Sequence, residues 1–134
     1  MQLPLITGFG LSREKKVGDL DNLRAEVNRF ALERDWDQFH SVKNLFVALV
    51  GEVGELAELI QWKTDGEIVD YLKTSEGLAR MSEELADVSI YLLRLAEKSG
   101  LDLAQITYKK LSINVDKYPV SSSRGNATKY TERP

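Results

Sequence analysis

The sequence predicts an all-α fold, a bundle of four main helices, on three observations. Its three prolines stand at positions 4, 119 and 134, so the span between Pro4 and Pro119 lacks the strongest helix breaker. Apolar residues recur within that span at intervals of three and four, the repeat of one helix face. No segment alternates apolar and polar residues between turn pairs of the Asn-Gly type, so no sheet is read.

Each element follows from local signals. The first helix opens near Asp19 or Asp21, either of which can cap it, and carries Leu20, Leu23, Val27, Phe30 and Ala31 on one face before Trp36. Trp36-Asp37-Gln38-Phe39-His40 reads as a connector with aromatic and polar tips. Ser41 caps a second helix expected to reach Trp62 and to stop at Thr64-Asp65-Gly66. A short helical piece holding Ile68, Val69, Tyr71 and Leu72 bridges to a third long helix, from about Glu76 to Ser99, capped by Thr74 or Ser75 and stopped by Gly100. Asp102 caps a fourth helix that Pro119 ends.

A length of 134 residues suits one domain, and 43% apolar with 29% charged residues describes a folded globular chain. We expect an N-terminal segment over 1–18, the helical domain over 19–119, and a polar tail over 120–134, mobile unless a ligand or neighbouring subunit orders it. With no cysteine there is no disulfide framework, thiolate nucleophile or Cys-based metal site, and the cytoplasm is the default compartment. No signal peptide or membrane span is read. A net charge of −3 argues against binding a nucleic-acid polymer. Cations nevertheless gather late, at Lys109, Lys110, Lys117, Arg124, Lys129 and Arg133, while carboxylates crowd the middle. Such a separation suits a metal held by one region and a phosphate by the other, or simply solvated helix faces.

The carboxylates carry the chemistry. In the second helix Leu45, Leu49, Leu56 and Leu59 form an apolar stripe in which Glu52 takes a leucine's place, and Glu55 follows one turn later on the same side. Gly51 and Gly54 cost that helix roughly 1 kcal/mol each relative to alanine, which suggests that space is required beside the glutamates. The third helix is apolar almost all the way round from Leu85 to Ala96, a pattern of burial, yet Asp87 falls inside it and Glu84 precedes it by one turn. Packed side by side, the two helices would gather four carboxylates. Like charges about 4 Å apart repel by roughly 4 kcal/mol at an effective dielectric near 20. A divalent cation resolves that, and oxygen-only ligands point to a hard ion, Mg²⁺ or Mn²⁺. Glu58 and Glu83 extend the two series and read as exposed charge.

Glu52-x-x-Glu55 followed by Glu84-x-x-Asp87 resembles the metal-binding signature of the MazG-like, all-α nucleoside triphosphate pyrophosphatase superfamily. The runs Glu33 to His40, Ala48 to Leu59, Gln61-Trp62-Lys63, Glu83 to Tyr91 and Lys110-x-x-x-Asn114-x-x-x-Tyr118-Pro119 resemble its dCTP pyrophosphatase branch over about residues 20 to 119, and Lys129-Tyr130-Thr131-Glu132 extends the likeness. The resemblance implies a four-helix bundle of the MazG-like type that hydrolyses a dNTP, dCTP first, to the monophosphate and pyrophosphate with Mg²⁺, in nucleotide-pool sanitation. It implies Glu52, Glu55, Glu84 and Asp87 as metal ligands, with Glu52 or Glu55 as general base instead. It places Trp36, Gln38, His40, Trp62 and Tyr91 around base and sugar. Stacking on aromatic faces is worth about 1–3 kcal/mol per base and is tolerant of base identity, so selectivity falls to polar groups such as Gln38 and Asn114. Lys110 and Lys117, with Arg124 or Lys129, suit the triphosphate oxygens. The family often has a further histidine in its first helix near the base; here that neighbourhood reads Glu26-Val27-Asn28.

Plainer roles exist for the same residues. Trp36 and Trp62 suit packing anchors, His40 a helix entry, Tyr91 a core tyrosine, and Lys110 and Lys117 a helix C-terminus. A di-iron bundle needs Glu-x-x-His pairs, which one histidine does not supply. A non-catalytic helical interaction module is the alternative from another class. An apolar third helix in so short a chain fits burial by a second copy, so a homo-oligomer is expected, a tetramer before a dimer.

Overall fold

The computed structural model describes residues 20–132. The segment expected over 1–18, Asp19 as a cap, and Arg133 and Pro134 lie outside the described residues. Helices α1 (Leu20–Glu33), α2 (Val42–Glu58), α3 (Asp65–Lys73), α4 (Ser75–Lys98), α5 (Leu103–Lys117) and the single turn α6 (Val120–Ser123) follow in order, and no strand occurs among the described residues. The all-α reading holds, with α1, α2, α4 and α5 as the long helices.

Most boundaries arise from the signals in the sequence. Ser41 Oγ accepts from Asn44 N–H, Thr74 Oγ1 from Gly77 N–H and Asp102 Oδ1 from Gln105 N–H, each satisfying a donor that the first helical turn leaves without an intrahelical partner. Gly100 takes φ +69°, and the amides of Gly100 and Leu101 return to the carbonyls of Glu97 and Ala96, which closes α4 with a left-handed cap. Helix α1 ends the same way without glycine. Asp35 takes φ 55°, its amide bonds Leu32 O and that of Trp36 bonds Ala31 O, while Gln38 Nε2 donates to both the carbonyl and the carboxylate of Asp35. The cap turns the chain into a 3₁₀ turn, Asp37–Phe39, and sets Trp36 edge-on to Phe30 at 5.7 Å.

One boundary differs. The regular part of α2 ends at Glu58, short of Trp62, where the amides of Ile60 and Lys63 turn to carbonyls three residues back, Ala57 O and Ile60 O, and Lys63 Nζ donates to Leu59 O. Thr64-Asp65-Gly66 is then a start and not a stop: Thr64 and Glu67 form a reciprocal capping box that opens α3. The tail holds α6 and a 3₁₀ turn, Tyr130–Glu132, that brings Tyr130 edge-on to Tyr118 at 5.8 Å.

Helix α4 is the hub on which α1, α2, α3 and α5 pack, α2 most extensively. Its start is held by a close approach: a Cβ on Gly77 would lie 2.1 Å from Tyr71 O. Ala31, Leu45, Leu59, Leu93 and Ala96 form the buried apolar core. The burial expected for α4 on every side is not met within one chain. Leu93, Arg94 and Ala96 are buried, but Leu85 and Leu92 are exposed. Phe46, Val47, Val50 and Val53 of α2 are exposed as well.

Candidate active site

The packing of α2 on α4 brings the two acidic pairs together. Carboxylate oxygens of Glu52, Glu55 and Glu84 all lie within 4.8 Å of one another, and Asp87 joins them electrostatically. Burial, then Asp87, Glu55 and Glu84, pushes the Glu52 carboxyl above its ordinary range. Burial and then Glu55 do the same to Glu84 and to Asp87. Among the described residues Glu84 Oε2 is the buried side-chain polar atom with no hydrogen-bond partner. An anionic oxygen out of water without a donor is costly, and a hard cation is the partner that this all-oxygen set fits. Gly51 and Gly54 face open space, so room is left beside the glutamates. Glu58 and Glu83 are exposed.

A second feature lies alongside. Val27, Phe30, Ala31, Trp36, Phe39, His40, Ile90, Tyr91 and Arg94 enclose a cavity of about 310 Å³, within the range of small-ligand pockets. Tyr91 links the two features: it lines the cavity, and its phenol is raised by burial and then by Glu52 and Asp87. Three of the residues chosen for the nucleoside, Trp36, His40 and Tyr91, therefore share one wall system. Gln38 is outside it, engaged with Asp35. Trp62 stands 89% exposed in the turn after α2 and does not line the cavity. Lys110, Asn114 and Lys117 lie on α5, away from the cavity lining, with Lys117 Nζ 5.0 Å from the Tyr130 ring centre.

Sequence reasoning missed Arg94, which is 3% exposed at the cavity wall. Its Nε donates to His40 Nδ1 at 3.2 Å, and its terminal nitrogens donate to Asn28 Oδ1 and Asp37 Oδ1 at 2.8 Å each. Lys98 Nζ donates to the other oxygen of Asp37 at 2.9 Å. The two cations, Lys98 first, hold the Asp37 carboxyl below its usual range. Burial and then Arg94 hold His40 below its own, against the opposing pull of Asp37. The signal available in the sequence was an arginine between Leu93 and Leu95, the same kind of intrusion that singled out Asp87.

The sequence model of the MazG-like family matches residues 47–132. dCTP pyrophosphatase 1 of Mus musculus is 49% identical over 126 residues, 94% of this chain and 72% of that protein, and its Homo sapiens counterpart is 48% identical over the same lengths. A solved pyrophosphatase from Archaeoglobus fulgidus superposes with a TM-score of 0.67 at 34% identity, covering 74% of this chain and 91% of its own. By that family match and these relatives, the chain belongs to the MazG-like family, in its dCTP pyrophosphatase branch.

Proposed function

We propose that the protein is a nucleoside triphosphate pyrophosphohydrolase that converts dCTP and water to dCMP and pyrophosphate, serving nucleotide-pool sanitation. The observation that carries this is the gathering of Glu52, Glu55 and Glu84, with a buried, unpartnered Glu84 oxygen, beside a cavity walled by aromatic residues. The curated relatives named dCTP pyrophosphatase 1 supply the choice of base and reaction.

Glu52, Glu55, Glu84 and Asp87 would hold Mg²⁺, with Mn²⁺ as a substitute. When bound, such an ion supplies positive charge to phosphate oxygens and to the departing pyrophosphate. The chain's own residues do the rest. Glu52 or Glu55, acting as a base instead of a direct ligand, takes the proton of the attacking water. Trp36 and Tyr91 give the base and sugar apolar faces, and His40 gives a polar tip. Trp62, Gln38, Lys110, Asn114 and Lys117 complete the site only if substrate or another subunit brings them in.

Exposed Phe46, Val47, Val50 and Val53 on α2 and Leu85 and Leu92 on α4 support a homo-oligomer, with a tetramer favoured over a dimer. Among the described residues no helix is long and apolar enough to cross a membrane, and the cysteine-free sequence supports a cytoplasmic protein.

Pyrophosphate release from a panel of dNTPs and NTPs tests the reading. We expect release from dCTP that requires Mg²⁺ and is lost in Glu52→Gln and Asp87→Asn. If no triphosphate is cleaved and Mg²⁺ with nucleotide gives the folded protein no thermal stability, the enzyme reading fails and a helical interaction module replaces it.

A further inference from the structure

Arg94 is a buried cation in a largely apolar wall, and its named bonds tie α4 to two other parts of the chain: Asn28 on α1, and Asp37 and His40 on the connector. A guanidinium has N–H donors in a fixed fork and no acceptor, and it does not lose its proton in proteins. Where its Nε–H points at an imidazole nitrogen, that nitrogen has to be bare. The neutral ring then carries its proton on the other nitrogen. Asn28 and Asp37, the latter also held by Lys98, fix the plane of the fork and so the direction of the Nε–H bond.

We propose that Arg94 is a positioning residue for base recognition: by donating to His40 Nδ1 it fixes the imidazole with its proton on Nε2, so that the cavity offers a permanent donor to an acceptor edge of the base. The inference rests on the pyrophosphohydrolase reading for its ligand and extends that reading to the residue that sets base preference. Among the residues lining the cavity, Trp36, His40, Tyr91 and Arg94 carry a group able to donate, and none is a carboxylate. A pyrimidine carbonyl with its neighbouring ring nitrogen, as in O2 and N3 of cytosine, complements such a wall. A site built to pair an acceptor of the substrate discriminates strongly, because a mismatched base leaves buried donors unpaired.

His40 is the sole histidine, so ¹⁵N-detected NMR of the tag-free protein reports it without assignment ambiguity. We expect a bare Nδ1 and a protonated Nε2 in the metal-free protein, and a shift of Nε2 on titration with dCMP. In Arg94→Met the ring should sample both neutral tautomers, its pKa should return toward the ordinary histidine value, and KM for dCTP should rise about tenfold or more while kcat changes less. Asn28→Ala, which leaves Arg94 in place but frees one tine of the fork, should show a smaller change in the same directions. A protonated Nδ1 in the wild type, or no movement of Nε2 with either dCMP or dUMP, overturns the proposal, and both are readable even if Arg94→Met does not fold. An Arg94→Met protein that loses the tautomer signature but keeps its KM overturns it too, while leaving the hydrolase reading intact. If the wild type cleaves no triphosphate, the hydrolase reading fails, and the dCMP titration still decides whether His40 meets a base.

Discussion

Along α4, Glu84 and Asp87 face Glu52 and Glu55 of α2, anions against anions, whereas about two turns further on Arg94 is enclosed by Asn28, Asp37 and His40. The first cluster is at odds with itself: the carboxyls of Glu52, Glu84 and Asp87 are raised and one oxygen has no donor. In the second, Arg94 meets a named acceptor at each of its three nitrogens, and the Asp37 carboxyl is lowered. One helix thus carries a region whose stability depends on something that binds and another whose stability is internal. On the proposed function, the difference separates the reacting end of the site from the end that recognises.

The largest expected effect falls on the unsettled region. Glu52→Gln and Asp87→Asn should each lower pyrophosphate release by about 10²-fold or more, as removal of a charge acting in the transition state does, while the metal-free fold stays intact or gains thermal stability. A variant that lost both activity and fold would break the comparison. The internal region should behave in reverse. Arg94→Met should destabilise the fold by about 2–3 kcal/mol in a denaturant titration, because His40 Nδ1 and Asn28 Oδ1 lose their donor inside the protein.

A third measurement sharpens the contrast through pH. Glu52, Glu84 and Asp87 bind protons more tightly folded than unfolded, so their contribution to metal-free stability falls as pH rises from the ordinary carboxylate range, about 4, through their raised values. Asp37 is lowered and works in the opposite sense: its contribution is present above the ordinary value and is lost as pH falls through its own. Thermal melts of the wild type and Glu84→Gln from acid to neutral pH should show the downward slope weakened in the variant, and saturating Mg²⁺ should flatten it in the wild type. The smallest effect belongs to Lys98→Met, a shift in Tm of a few degrees at most, since Lys98 pairs with a partner already held by Arg94.

The same comparison explains what was legible in the sequence. Glu52 and Glu55, like Glu84 and Asp87, are close in sequence and interrupt apolar helical stripes, so one-dimensional spacing is enough to expose them. The partners of Arg94 lie 54 to 66 residues away on α1 and the connector, and no local pattern announces them. Caps at Ser41, Thr74 and Asp102 and the stop at Gly100 could be read because each is settled within a few residues. The polar residues Thr64-Asp65-Gly66 suit a stop and a start alike, and only the reciprocal bonds of Thr64 with Glu67 decide for a start. Leu85 and Leu92 of α4 stay exposed within one chain, since hydrophobicity shows that a face needs covering without showing what covers it.

The tight contact at Gly77 makes the α3–α4 corner a fixed origin for counting. Each residue of a helix advances its side chains by about 100°, so a single insertion or deletion between Gly77 and Glu84 would swing Glu84 and Asp87 off the face that meets α2. Substitutions along that stretch leave the counting intact, whereas a change in its length by one residue disperses the acidic cluster without altering any of its members.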